Sequence, residues 1–389
     1  TALSSFVGGS IGIILMMLFS PIIVSYALQF GSAEYFALMV LGLVAASSIS
    51  AGSVAKSYAM VVAGIVFGIV GMDIYTGAQR FTFGIFELDE GLSIVALAMG
   101  IFGVAEVIAT AGQQRSGVQH KVELQSMTPT RDDWRRFPAA TLRGTAVGSI
   151  FGALPGTGST ISTFIAYALE KRVSRNPERF GEGAVEGVIA PEAANNAADQ
   201  TAFIPTLTLG IPGSATMALM IGALMIQGIT PGPSLMIDHP DVFWGLVMSF
   251  WLGNLLLLIL NIPLIGIWVR LLTVPFRYLY PVILVFICIG VFSLNNNAFG
   301  IWIVVFFGAL GTFMRWAELP AASLLLGFVL GPLMEEHFRR AMAISGGQLS
   351  MFIDRPISAV ILGLTSLILL AGLGRKLHAA LWGGTRTRS

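Results

Sequence analysis

Charge, cysteine and histidine are all scarce in this sequence of 389 residues. Charged residues make up 11% of the chain, far below the roughly 25% of an average soluble domain, whereas hydrophobic residues make up 55%. The single cysteine, Cys288, excludes an intramolecular disulfide. The four histidines stand far apart without ligand spacing, so no metal site is expected. Such a composition predicts a membrane protein that crosses the bilayer many times.

Signatures of nucleotide-driven transport and of enzymes are also missing. No GxxxxGK[ST] motif occurs and the loops are short, so we expect no nucleotide or other cofactor. No histidine lies within an apolar run to serve Ser159 or Ser214 as a base, so we expect no enzyme. A net charge of +1 with basic residues spread over loops excludes a nucleic-acid partner. The start TALSSF, without Met or a basic leader, is interpreted as a cut or processed end.

Apolar stretches of about 20 residues, the length of a membrane-spanning helix, recur along the chain. They predict an all-α fold in one integral membrane domain over 1–389 with roughly ten membrane segments. These lie near 9–29, 34–51, 55–72, 92–112, 139–170, 201–231, 243–269, 280–299, 300–314, 319–334 and 356–374. Within the domain we expect N-terminal spans over 1–112, a cytoplasmic loop over 113–138, a substrate-site region over 139–231 and C-terminal spans over 232–389.

Basic residues indicate which loops are cytoplasmic. They cluster at Arg115, Lys121, Arg131, Arg135 and Arg136, at Lys171, Arg172, Arg175 and Arg179, and at Arg375, Lys376, Arg386 and Arg388. The loop 73–91 is mostly acidic and 229–241 has no Lys or Arg, so both are predicted to be external. The run 139–170 is therefore flanked by cytoplasmic loops at both ends. It is predicted to enter the membrane, turn and leave on the same side.

Two Pro-Gly breaks interrupt the apolar runs. The first is GALPGTGST at 152–160, and the second is Pro212-Gly213-Ser214 within TLTLGIPGSAT at 206–216. Gly156, Gly158 and Gly213 are expected to adopt conformations closed to other residues. Paired breaks are typical of carrier sites in which helix N-termini face an anion, although kinks and small-residue packing are the alternative. The predicted substrate-binding residues are Pro155, Gly156, Thr157, Gly158, Ser159, Thr160, Pro212, Gly213, Ser214 and Thr216.

A polar stretch, EGVIAPEAANNAADQTAF at 186–203, lies between the breaks. Four of its oxygen-bearing side chains share one face of a helix and are predicted to couple transport to H⁺ or Na⁺: Glu192, Asn195, Asn196 and Asp199. The alternative is a solvated cap that leads into the next span. Glu106, inside the run MGIFGVAEVIATAG, is a further functional candidate unless it meets a basic partner.

Four long stretches resemble the large membrane subunit of the tripartite tricarboxylate transporter (TctA) family. They are GIVGMDIYTGAQRFTFGIFELDEGL at 68–92, RGTAVGSIFGALPGTGSTISTFIAYALEKR at 143–172, FGEGAVEGVIAPEAANNAADQTAFIPTLTLGIPGSATMALMIGALMIQGITPGP at 180–233 and GPLMEEHFRRAMAISGG at 331–347. The family's Pro-Gly loops fall on Pro155 to Thr160 and on Pro212 to Thr216. Its PEAANN segment falls on Pro191 to Asn196.

The resemblance implies an ion-gradient-driven secondary carrier for carboxylates in the bacterial inner membrane. It also implies two partners, a small membrane subunit and a periplasmic solute-binding protein. Family members usually carry an N-terminal portion with earlier Pro-Gly breaks, and this chain starts after it. A non-transporting scaffold or an inactive partial carrier is therefore the alternative, and which carboxylate is carried stays open.

Overall fold

The computed structural model describes residues 1–49, 53–73, 75–111, 130–154, 158–271 and 274–382, with side chains described, a few excepted, up to residue 370. Its helices are α1 Ala2–Ala27, α2 Ser32–Ile49, α3 Val54–Gly68, α4 Ile94–Ala98, α5 Ala105–Ala111, α6 Arg131–Gly152, α7 Gly158–Val173, α8 Glu186–Thr201, α9 Phe203–Leu209, α10 Ala215–Ile226, α11 Pro233–Asp238, α12 Pro240–Asn261, α13 Ile265–Leu271, α14 Phe276–Asn295, α15 Phe299–Trp316, α16 Ala321–Ile344, α17 Met351–Asp354 and α18 Pro356–Trp382. The strands β1 Gly71–Met72 and β2 Gln79–Arg80 form one antiparallel pair.

The all-α, polytopic prediction is confirmed. Among the described residues, 4 helical rods are long and apolar enough to cross a membrane: Ala2–Ala27, Ile94–Ala111, Pro240–Asn261 and Phe299–Trp316. The second of these rods joins α4 to α5 through a π-helical segment, Met99–Val104. Shorter apolar helices supply further segments at Ser32–Ser48, Val54–Gly68, Ala215–Ile226, Tyr278–Leu294 and Pro356–Leu370.

The basic residues of α6 and α7 lie at one end of the helix bundle. Arg136 near the start of α6 pairs with Glu186 at the start of α8, with 3.2 Å between Nη1 and Oε1. Lys171 and Arg172 lie in the last turn of α7. We call this the basic end. The loop 75–91 and the end of α10 lie together at the other end, where Phe86 and Ile226 line one cavity, and we call it the acidic end.

Helix α8 is clamped between α6 and α1 through glycine. A Cβ atom added at Gly144 would lie 2.8 Å from Ala190 Cα, and one added at Gly148 would lie 2.7 Å from Ala194 Cα. On the other side, a Cβ atom added at Gly8 would lie 2.9 Å from Ala193 Cα. Because the matched positions increase together along each pair, all three helices run in the same direction. Small residues at these contacts bring the backbones close, as is typical of membrane helices.

An ion network fixes the loop at the acidic end to α16. Arg80 pairs with Asp73 and, over 2.8 Å, with Glu335, while Arg339 pairs with Asp73 over 3.0 Å and with Glu335 over 2.7 Å. The Tyr75 backbone N–H donates to Asp73 Oδ1 over 2.8 Å. This hydrogen bond, together with the Arg80 guanidinium, holds the pKa of the Asp73 carboxyl well below its usual range. The Asp73 carboxylate therefore remains charged at mildly acidic pH.

Two sequence-based expectations change in the structure. Helix α6 begins at Arg131, inside the stretch 113–138 that was predicted as a loop. A capping box at Thr130 and Asp133 starts the helix there, ahead of the apolar run. Glu106 forms an ion pair with Arg315 on α15, so the alternative of a basic partner is confirmed.

The turn-back of 139–170 is confirmed by a buried ion pair between α6 and α7. Arg143 donates to both carboxylate oxygens of Glu170, from Nε over 2.8 Å and from Nη2 over 2.5 Å. The Glu170 side chain is only 2% exposed. Two-point contact of this kind orients the second helix of the hairpin against the first.

Replacing Arg143 by methionine is expected to lower the free energy of unfolding by about 3 kcal/mol, because it leaves the Glu170 charge buried and unpaired. Adding Glu170→Gln to that variant should recover most of the loss. Unfolding of the purified protein in a mild detergent measures both effects. The exposed pair of Arg315 and Glu106 is the control, and Arg315→Met there should cost less than about 1 kcal/mol. Equal losses at the two pairs would contradict the prediction.

Candidate functional site

The first Pro-Gly break separates α6 from α7. Helix α6 ends at Gly152, and α7 begins at Gly158, whose φ of +61° is the left-handed conformation expected for it. The Ser162 hydroxyl donates to the Gly158 carbonyl over 3.0 Å within the first turn of α7. Pro155, Gly156 and Thr157, three of the predicted substrate-binding residues, lie outside the described residues.

The second break separates α9 from α10. Gly210 ends α9 with φ +71°, and the Ser214 hydroxyl caps α10 by accepting a hydrogen bond from the Met217 N–H over 3.3 Å. The expectation for Gly213 was wrong, because its φ is not positive and an added Cβ atom would meet only ordinary contacts. The left-handed position is Gly210, since the chain reverses at the end of α9 rather than at the start of α10.

The two breaks meet inside the bundle. A Cβ atom added at Gly213 would lie 3.6 Å from the carbonyl oxygen of Gly152 and 3.8 Å from that of Leu154. The backbone at the C-terminal end of α6 therefore contacts the start of α10. Helix α7 starts only a few residues after Leu154. The N-termini of both interrupted helices thus lie around the same point.

Asp199 on α8 joins the first break to the polar stretch. The Ser159 side chain, in the first turn of α7, lies beside the Asp199 carboxylate. Asp199 is exposed although it lies on a helix packed between α6, α7 and α1. A predicted substrate-binding residue and a predicted ion-coupling residue are therefore in contact.

The other predicted ion-coupling residues lie further toward the basic end. Glu192 is two helical turns before Asp199, about 10 Å along the axis, and its Oε1 accepts from Ser5 Oγ on α1 over 3.0 Å. The Asn196 side chain donates to the Glu192 backbone carbonyl over 3.0 Å. The shared face with half-buried Asn195 is confirmed, but of these four residues only Asp199 has a described contact with a break.

Hydroxyl groups at the breaks are accessible. Thr160 and Thr216 are exposed, whereas Ser159 and Ser214 are half-buried and Pro212 is buried. Ser159 lies at the start of α7 beside Asp199, and the Ser214 hydroxyl at the start of α10 accepts a hydrogen bond from the Met217 N–H.

Sequence reasoning missed three groups. The carbonyls of Gly152 and Leu154 face the second break, and their position at a helix C-terminus was the available signal. Gln200 Oε1 is buried without a partner among the described residues. Three hydroxyls on α6 are also buried without a partner among the described residues: those of Thr141, Thr145 and Ser149. Their spacing of four residues could have indicated from the sequence that they share one helix face.

The arrangement offers donors for an anion and acceptors for a cation. Helix N-termini carry free N–H groups and a positive dipole end, which suit a carboxylate. The Asp199 carboxylate and the carbonyls of Gly152 and Leu154 suit H⁺ or Na⁺. A separate cavity of about 740 Å³ at the acidic end is lined by Glu87 and Glu90 and by no Lys or Arg among its described residues, so it does not suit an anion.

Comparison with known proteins identifies the family of this chain. The family model described as the tripartite tricarboxylate transporter TctA family matches residues 1–326. A 52.8 kDa protein in the TAR-I ttuC' 3' region of Agrobacterium vitis is 49% identical over 361 residues, which cover 93% of this chain and 72% of that protein. A protein in the TAR-II ttuC' 3' region of the same organism is 54% identical over 217 residues, 56% of this chain and 90% of that protein. No solved structure matches. The family model spans most of the chain, whose two interrupted segments meet inside a helical membrane bundle. This chain therefore belongs to the tripartite tricarboxylate transporter TctA family.

Proposed function

We propose that this chain is the membrane subunit of a secondary, ion-gradient-driven carrier for tricarboxylates or related carboxylates. It works in the bacterial inner membrane with a small membrane subunit and a periplasmic solute-binding protein. The basic end faces the cytoplasm, in accord with the positive-inside rule. The observation that carries the proposal is the meeting of the two breaks beside Asp199.

Substrate carboxylates bind at the N-termini of α7 and α10 in this proposal. Helix-end contacts contribute about 0.3–1 kcal/mol each when exposed and up to about 2 kcal/mol when partly buried. The remaining affinity comes from direct hydrogen bonds, for which Thr160 and Thr216 offer exposed hydroxyls. Two separated N-termini fit a substrate that carries more than one carboxylate.

Ion coupling uses Asp199. A carboxylate at membrane depth is costly unless it is paired or binds a cation. Its neighbour Ser159 also belongs to the substrate loop. Uptake of H⁺ or Na⁺ at Asp199 lowers the negative charge beside the breaks, and a substrate anion then binds more favourably. The two ligands thereby support each other's binding.

Uptake of labelled carboxylates tests the proposal. Cells that contain this chain and both partners are expected to accumulate citrate or a related acid from a panel. Thr216→Val removes an exposed hydroxyl with little change in shape and should reduce uptake about tenfold. Ser249→Ala, which removes an exposed hydroxyl on α12 away from the breaks, is the control and should have no effect. Binding of the partners without uptake of any acid would instead favour a non-transporting scaffold.

A further inference from the structure

An ordered loop at the acidic end exposes aromatic rings. We call residues 81–90, with the sequence FTFGIFELDE, the aromatic loop. Phe83 is 86% exposed, Phe86 is 82% exposed and Phe81 is 50% exposed. Between the first two phenylalanines of the loop, Thr82 is 3% exposed and points inward. The phenylalanine rings therefore lie on the outer side of the loop, whereas Thr82 packs on its inner side.

The backbone holds two of these rings in an unfavourable conformation. Phe81 has φ 53° and Phe83 has φ 52°, both in the left-handed region that bulky residues rarely adopt. Such strain persists only where the surrounding structure fixes it, and it is concentrated at functional positions. A glycine would relieve the strain at either position but would remove the ring. The sequence therefore keeps exposed aromatic rings at two positions where the backbone conformation is strained.

The aromatic loop is fixed at both ends. Arg80, directly before it, belongs to the ion network with Asp73 and Glu335. Near its other end, Asp89 accepts a hydrogen bond from the Gln79 side chain over 3.0 Å, and its carbonyl accepts from the Met72 N–H over 2.9 Å. A loop held in this way presents its rings without the entropy loss that a mobile segment suffers on binding.

The aromatic loop also carries exposed carboxylates. Glu87 and Glu90 are exposed, and the aromatic loop contains no Lys or Arg. The neighbouring cation, Arg80, is already paired with Asp73 and Glu335. The surface therefore combines apolar anchors with an acidic rim, which is the usual pattern of a protein contact with a few dominant aromatic residues.

We propose that the aromatic loop is the docking surface for a soluble protein whose contact face has apolar pockets ringed by Lys and Arg. Under the proposed function this partner is the periplasmic solute-binding protein, and the assignment rests on that function. Interfacial lipid is the less favoured neighbour, because the carboxylates are repelled by anionic headgroups and the loop lacks Trp, Lys and Arg anchors. The loop also borders the cavity formed by α10, α14, α15 and α16.

Binding of the purified solute-binding protein of the same carrier tests the assignment. The full chain is placed in lipid nanodiscs with its small membrane subunit, and the affinity is measured at low and at high salt. Replacing Phe83 and Phe86 together by alanine should weaken binding at least about tenfold. The control is Phe286→Ala, which truncates a ring of similar exposure, 68%, on α14. Replacing Glu87 and Glu90 by glutamine should weaken binding less and flatten its salt dependence.

Three results overturn the assignment. The first is unchanged binding by the Phe83 and Phe86 variant. The second is contact of the rings with lipid, detected as quenching by brominated lipids of a fluorophore attached through Phe83→Cys in a Cys288→Ser background. The third is the absence of binding to the wild-type chain. Carboxylate uptake by proteoliposomes of the same preparation then shows separately whether the proposed function fails as well.

Discussion

Replacing Gly148 by leucine is expected to separate α6 from α8 and to lower the free energy of unfolding by about 3 kcal/mol or more. A Cβ atom at this position would lie 2.7 Å from Ala194 Cα and 2.8 Å from the Ala194 carbonyl carbon. Both are backbone atoms of a helix that is held on its other side by α1, so neither can move aside. Leucine adds three further carbons to this clash.

The measurement is thermal unfolding of the protein in detergent, together with the amount that reaches the membrane. Gly290→Leu is the matched control, since Gly290 is an exposed helical glycine on α14 with no atom within 4 Å of an added Cβ. That variant should unfold as the wild type does. Similar losses from the two substitutions would mean that leucine itself, rather than the close approach of α6 and α8, is harmful.

Replacing Asp199 by asparagine is expected to reduce ion-driven uptake about 100-fold, at the upper end of the range for coupling between two ligands. Asparagine keeps the size and polarity of the side chain beside Ser159, but it has no charge to bind H⁺ or Na⁺. Because asparagine resembles the neutral form of Asp199, the substitution should leave the affinity for the substrate carboxylate largely intact.

Two assays separate coupling from binding. Accumulation against a gradient should fall, whereas exchange of labelled for unlabelled substrate at equal concentrations should persist. Asp238→Asn, at an exposed position on α11, is the control and should change neither assay. Full gradient-driven accumulation by the Asp199 variant would remove this carboxylate from the coupling mechanism.

Local chemistry made parts of this fold predictable from sequence. Basic flanks on both sides of 139–170 required a turn-back, and the Pro-Gly stretch indicated where it falls. The spacing of Glu192, Asn195, Asn196 and Asp199 placed them correctly on one helix face. Each of these conclusions depends on residues close together in the chain, where period and turn chemistry act directly.

Packing between distant segments could not be predicted in the same way. Nothing local distinguishes Asp199, which contacts Ser159, from Glu192, which contacts Ser5. The difference arises from the register of α8 against its neighbours. The left-handed turn likewise lies at Gly210 rather than at Gly213, since φ at a turn depends on the direction that the chain takes next. From the sequence, only the analogy with other carriers indicated that the two breaks form one site. The contact between them is visible only in the folded chain.

The glycine contacts of α8 have a mechanical consequence. Where two helices touch backbone to backbone, no side chain lies between them to change rotamer, so the contact cannot adapt to small shifts. The block formed by α1, α6 and α8 therefore moves as one body. Helix α10 is held differently, because its Gly222 meets α4 through the side chain of Ile94, which can repack. Of the two helices that meet at the breaks, α10 is therefore the one whose packing can adapt, whereas the contacts of α6 with α8 are made between backbones.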